Sequence, residues 1–254
     1  MSLKDKLLSS YLTFQENTSF DNSILDIKDQ AIKVFETEGF PSKKDENWKY
    51  TSLNSVTKPD YSLVSHADDA IEFKDVKQYF LNDIDTFKIV FIDGVYSSYL
   101  SETTHDGVDV CLLSSALTKP KFKQVIDVYF NKIAKKESLT ALNTAFAKEG
   151  AYIYVPKSRA VNKPIQIVHL STGSEANLML QPRNLIVAEE NAEVQVIERH
   201  QSLSWNAVFT NSVTEIYAGK HARVDYYKIQ NDKENASLID NTHIDQQESS
   251  EVAV

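Results

Sequence analysis

The side chains best suited to chemistry here are histidines. Four of the six, His169, His200, His221 and His243, fall in the second half of the chain. An imidazole ligates transition metals through either ring nitrogen and exchanges a proton near neutral pH. None of the four stands in a His-x-x-x-His pair, and one cysteine, Cys111, rules out Cys-x-x-Cys, so no local zinc or cluster motif exists. The histidines can act together only if the fold stacks residues that are distant in sequence. Taken singly, each reads as a solvated or hydrogen-bonded polar side chain, with His243, two residues before Asp245, in the most polar setting. Cys111, beside Leu112 and Leu113, reads as a small buried apolar residue. No catalytic, cofactor-binding or metal-binding residue is assigned on this basis, and the chain alone is expected to bind no cofactor.

Other site chemistries lack their motifs. The only Gly-Lys pair, Gly219-Lys220, has no upstream glycine to cradle a phosphate, so the chain is not expected to hydrolyse ATP. Neither Gly-x-Gly-x-x-Gly nor Gly-x-Ser-x-Gly occurs. A formal net charge of -9 opposes general nucleic-acid binding, which needs surplus Lys and Arg. The basic stretch of Lys119, Lys121, Lys123, Lys132, Lys135 and Lys136 reads as the solvated face of a helix. No stretch approaches the length of a membrane span and the first residues mix acid with base, so a soluble cytoplasmic protein is expected, with no membrane partner.

The elements that would position such residues change character midway. After Ser2, a plausible N-cap, Leu3, Leu7, Leu8, Tyr11 and Leu12 recur at helical spacing. Ile24, Ile27, Ala31, Ile32 and Phe35 do the same, up to Gly39 and Pro41. Phe87 to Ile92, the turn Asp93-Gly94 and Val95 to Leu100 read as a hairpin, and Val108 to Leu112 as a third strand. Phe122, Val125, Ile126, Tyr129, Phe130 and Ile133 return to helical spacing, and Ser138 opens a helix expected to stop at Gly150.

From Ala151 onward the pattern is β: Tyr152 to Val155, Ile165 to Leu170, Leu185 to Ala188, Val194 to Ile197 and Val224 to Ile229. Ala188 to Val196 aligns with Ala218 to Tyr226, about 30 residues apart, and Pro164 to Ile167 falls about one period earlier. That period predicts a coiled β solenoid, in which residues one coil apart stack. The fold class is therefore α+β. Residues 1–149 form an α-rich N-terminal domain with a small strand hairpin, and residues 150–254 the first part of a solenoid core. The last residues, Glu251-Val252-Ala253-Val254, follow strand-compatible sequence without a cap, so a shortened chain is expected whose open end offers a site of self-association.

Family resemblance enters at Gly39-Phe40-Pro41, Lys43-Lys44 and Glu46-Asn47-Trp48-Lys49-Tyr50-Thr51-Ser52-Leu53. This segment is similar to the N-terminal signature of SufD proteins, whose core is Glu-x-Trp-Lys/Arg-Tyr-Thr-x-Leu. Phe91-Ile92-Asp93-Gly94, Leu142-Asn143-Thr144-Ala145-Phe146, Tyr154-Val155-Pro156 and Lys163-Pro164-Ile165 fit the same family in the same order. The resemblance implies a helical N-terminal domain and a right-handed parallel β-helix. It further implies a non-catalytic scaffold role in iron-sulfur cluster assembly, in a cytosolic complex with a SufB-like paralogue and the ATPase SufC, which supplies ATP hydrolysis. The cluster is implied at the level of the complex. The family's functional Cys and His and its SufC-binding helices lie in its C-terminal part, which no residue here matches, so none is carried over. Trp48 and Tyr50 read as a packing anchor rather than a ligand site.

Two readings from other classes stay open. One is a carbohydrate-active β-helix enzyme, for which Asp225 and Glu215 are the candidate carboxylates. The other is a structural module that pairs through an open β edge.

Overall fold

The computed structural model describes residues 1–16, 20–63, 71–103, 107–134, 136–173 and 177–254. The first expected helix forms as α1 (Leu3–Glu16), with the Ser2 hydroxyl accepting the Asp5 backbone N–H at 3.2 Å. Leu3, Leu7 and Tyr11 are buried on one face, whereas Leu12 is exposed. α2 (Asn22–Glu38) is capped by Asp21, which accepts the N–H of Ile24, and it ends where Gly39 takes a φ of 69°. Two single turns follow, α3 (Asn54–Thr57) and α4 (Phe73–Val76).

β1 (Phe87–Ile92) and β2 (Val95–Tyr96) form the expected hairpin. Asp93 and Gly94 have φ values of 49° and 78°, the left-handed pair that a tight two-residue hairpin needs. β2 stops at Tyr96 instead of running to Leu100, because the chain loops out before Glu102 rejoins Lys88. β3 (Asp109–Leu112) leads into α5 (Leu113–Thr118), a helix absent from the sequence expectation. α6 (Lys123–Tyr129) is shorter than the Phe122 to Ile133 run, since Asn131 turns left-handed with a φ of 58°. The lysines Lys119, Lys121, Lys123, Lys132 and Lys136 are exposed, but only Lys123 lies on α6, so they flank the helix rather than form its face; Lys121 meets Asp109, and Lys123 meets Asp21 and Asp127. Lys135 lies outside the described residues.

α7 (Ser138–Phe146) ends four residues before Gly150. Gly150 serves a different purpose. A Cβ there would stand 1.8 Å from the backbone oxygen of Arg183, so only glycine lets the two backbones cross. The carbonyls at the end of α7 are met by Lys28, fully buried on α2, which donates to Thr144, Ala145 and Ala147 at 3.2, 3.3 and 2.5 Å.

The rest is β: β4 (Ala151–Val155), β5 (Ile165–Ser171), β6 (Asn177–Leu180), β7 (Arg183–Ala188), β8 (Glu193–Ser202), β9 (Ala207–Ala218), β10 (Arg223–Gln230), β11 (Ala236–Gln246) and β12 (Glu251–Ala253). The strands form two sheets, ordered β12-β10-β8-β5-β1-β2 and β11-β9-β7-β4-β3 with β6 beside β9, and from β7 onward successive strands alternate between them. From β4 onward every pairing with the strand one coil earlier is parallel, which makes the expected solenoid. The register reproduces the repeat: Glu193 pairs with Arg223, and Ile165 with Val196. Asn191 and His221 occupy matching left-handed turns, each with a φ of 57°.

β1 pairs in parallel with β5, so the hairpin strand belongs to the first coil. Inside the coils, Ile89, Ile153, Ile167, Ile186, Val196, Ile216 and Val224 form an apolar core. Outside, α5 and α6 pack on Tyr152, Leu185 and Tyr217, and α1, α2 and α7 close over Met179 and Phe209. Trp48 joins that second cluster, but Tyr50 is 90% exposed, so the anchor is Trp48 alone. Among the described residues no helix is long and apolar enough to cross a membrane.

Candidate functional site

Alternation along β8 sends Val194, Val196, Glu198 and His200 into the solenoid interior, apolar in the first half and polar in the second. The ladders set their neighbours. His169 lies beside His200 in the adjacent coil, and Glu198 lies beside Ile167 on one side and Lys228 on the other. From the facing sheet come Asn184 and Thr214, and from β10 Tyr226.

Glu198, with no exposed surface, is the hub of this chamber. Its Oε1 takes Asn184 Nδ2 at 3.1 Å and His200 Nε2 at 3.0 Å. Its Oε2 accepts the Tyr226 hydroxyl and lies 3.5 Å from Lys228 Nζ, which also pairs with Asp240. Thr214 joins Asn184 to Tyr226 at 3.2 Å on each side. Burial alone would push the Glu198 carboxyl up, but Lys228, His169 and His200 together hold it well below the usual range. Tyr226, buried against that carboxylate, is pushed well above the ordinary phenol value and stays protonated.

His169 is held differently. Its ring stacks on His200 at 4.7 Å and on Phe91 at 5.1 Å, and its Nε2 stands 3.2 Å from Glu198 Oε1 without a well-aligned hydrogen bond. Burial lowers its pKa, so the neutral imidazole is favoured. The ring also forms the inner end of a cavity of about 830 Å³ walled by α1, Tyr61, Phe146 and Met179, whose outer rim carries the exposed Ser9 and Thr13.

Of the four histidines singled out in the sequence, the fold thus unites His169 and His200. His221 occupies an outer turn, and His243 lies on the outer face of β11 beside Glu215. Glu198 had not been singled out. Only the register, which brings residues 30 or 31 apart together, reveals it. Cys111, on β3, is half-buried rather than fully buried, packed beside α5 and α6, and burial pushes its thiol up to about 11, away from the reactive thiolate. The carboxylates considered for sugar chemistry do not meet: Glu215 is buried outside the coils against Arg183, at 2.6 Å, and Asp225 accepts from Gln195 on the outer face of the other sheet.

A helical region closed over a parallel β solenoid with a polar chamber at its centre defines the class as a β-solenoid protein. The comparisons with known proteins specify it further. The family model for the SufBD protein N-terminal region matches residues 4–167, and that for the SufBD core domain of SUF system FeS cluster assembly matches residues 169–254. The chain belongs to the SufBD family of iron-sulfur cluster assembly proteins. Among its relatives, an iron-sulfur cluster assembly SufBD family protein of Synechocystis is 26% identical over 235 residues, covering 89% of this chain and 51% of the relative. The iron-sulfur cluster assembly protein SufD of Escherichia coli is 26% identical over 204 residues, covering 79% and 44%. That of Bacillus subtilis is 34% identical over 112 residues, covering 42% and 25%. The chain therefore spans about half, or less, of the length of these relatives.

Proposed function

We propose that the chain acts as a non-catalytic scaffold subunit of SufD type in iron-sulfur cluster assembly, working in the cytosol beside a SufB-like paralogue and a SufC ATPase. The observation that carries this is the tiling of the chain by the two SufBD models, residues 4–167 and 169–254, with relatives named SufD in two bacteria. The residues support a scaffold over an ATPase, because the sequence has no phosphate-cradling loop. Energy from ATP then enters through the partner. One cysteine does not supply the thiolates that hold a cluster, so the cluster is cargo assembled at the level of the complex.

The test is affinity purification of the tagged protein from its source organism grown under iron limitation. SufB-like and SufC proteins are expected to co-purify in fixed proportion. Their absence, with both demonstrably expressed, overturns the partner assignment. Unchanged activity of cluster-dependent enzymes in cells lacking the protein under the same limitation overturns the assembly role.

A further inference from the structure

We propose that His169, His200 and Glu198 bind one divalent first-row transition-metal ion inside the solenoid. The donor atoms of the three side chains lie within 4.8 Å of one another and all three residues are buried. Two nitrogens and a carboxylate oxygen form a donor set suited to Zn, Fe(II), Co or Mn, whereas Ca and Mg favour oxygen-only shells and Cu(I) favours sulfur. The spacing fits. Donors about 2.1 Å from an ion stand about 3.0 Å apart at octahedral right angles and about 3.4 Å apart in a tetrahedron, and the two imidazole nitrogens, at 3.0 and 3.2 Å from Glu198 Oε1, lie within or just short of that range.

Three further observations separate this cluster from a lumen merely filled by hydrogen bonds. First, His169 Nε2 is buried without a hydrogen-bond partner, directed at the carboxylate it does not properly engage. Second, Glu198 is a fully buried carboxylate whose cationic neighbour Lys228 is shared with the exposed Asp240, so its charge is only partly compensated. Third, one of the three ligand residues, His169, also lines the cavity that carries the exposed Ser9 and Thr13, so the cluster borders a space reached from outside.

The second oxygen of Glu198 is engaged by Tyr226 and Lys228, which orient the carboxylate as outer partners orient metal ligands. Binding replaces the contact between His200 Nε2 and Glu198 Oε1, with the neutral imidazole carrying its proton on Nδ1 so that Nε2 offers its lone pair to the ion. This proposal does not depend on the assembly role: a metal site stands without a Suf partner, and a Suf partner stands without a metal site.

The test uses the untagged chain, stripped with a chelator and titrated with Co²⁺ and separately with Zn²⁺. One ion per chain is expected, with visible ligand-field absorption for Co²⁺ and a calorimetric stoichiometry of one for Zn²⁺. His169→Gln is expected to weaken binding at least tenfold with the far-ultraviolet circular dichroism unchanged, and Glu198→Gln and His200→Gln to weaken it at least as much. His221→Gln, on an outer turn, is expected to leave it unaltered. No saturable binding by the wild-type chain, or an affinity unmoved by His169→Gln, overturns the proposal.

Discussion

His169 and His200 stack one coil apart, with ring centroids 4.7 Å apart and planes inclined by 13°, and both present Nε2 to the same oxygen of Glu198. Parallel pairing enforces this, because a residue and its ladder partner in the next coil point the same way. A solenoid thereby builds columns of side chains. The column Phe91, His169, His200 and the column Ile167, Glu198, Lys228 run side by side through the chamber.

Burial makes this stack sensitive to acid. The unfolded chain binds a proton on His169 near pH 6.5, while the folded chain, facing His200, Glu198 and Lys228 across the chamber, holds that site neutral to lower pH. The unfolded state therefore carries more protons below pH 6.5, and stability falls as pH drops from there through the depressed folded value. Glu198 contributes in a separate window: its depressed carboxyl adds stability that is complete above about 4.5 and is lost in stronger acid. Urea midpoints measured in chelator at pH 7.5, 6.5 and 5.5 should decline below 6.5 in the wild type and decline less in His169→Gln. Equal declines in both proteins would assign the acid sensitivity elsewhere.

Gly150 carries a prediction of a different kind. With the Arg183 carbonyl oxygen 1.8 Å from where a Cβ would sit, and a backbone φ of 157°, Gly150→Ala must push the start of β4 away from β7. A displacement of backbone from backbone in a buried ladder belongs with the most severe single substitutions, costing upwards of about 4 kcal/mol. The variant should be insoluble or show a thermal midpoint lowered by more than 10 °C. Gly219→Ala, where the nearest backbone atom is 2.7 Å away, should be milder. A soluble Gly150→Ala protein of normal midpoint would show that this crossing is not rigid.

What the sequence disclosed follows from how each element buries its side chains. α1 and α2 are legible because one apolar stripe faces the core and Asp21 and Gly39 mark the ends of α2. β5 and the first half of β8 are legible because valine and isoleucine alternate or run continuously. β9 and β11, 12 and 11 residues long, escape notice because their interior positions include Ser212, Thr214, Asp240 and Thr242, which erase the contrast between faces. The feature that hides these strands also makes the chamber, since a lumen lined by polar residues cannot show the hydrophobic period by which strands are recognised. Glu198 escapes for a related reason: its partners His169, Tyr226 and Lys228 lie about one coil away, and only the pairing register says which residues those are.

The junction between helices and solenoid rests on Arg183 and Glu215, neighbours on the outer face of β7 and β9 with no exposed surface. Arg183 Nη2 donates to Glu215 Oε2 at 2.6 Å and to Asn131 Oδ1 at 3.2 Å, and Nη1 donates to Thr144 Oγ1 at 2.9 Å. Glu215 in return accepts the backbone N–H groups of Asn131, Ile133 and Ala134 at 2.9 to 3.3 Å, holding the link between α6 and α7 against the sheet. Removing one ion of such a pair leaves the other charged and buried, which costs about 3–5 kcal/mol, whereas removing both charges restores part of that loss. Arg183→Met should therefore lower the urea midpoint sharply and expose the amides of 131–134 to hydrogen exchange. Arg183→Met combined with Glu215→Gln should be more stable than Arg183→Met alone, with a coupling of about 1 kcal/mol or more between the two positions. Strictly additive losses would mean that the three backbone donors hold Glu215 by themselves and that Arg183 serves the helices independently.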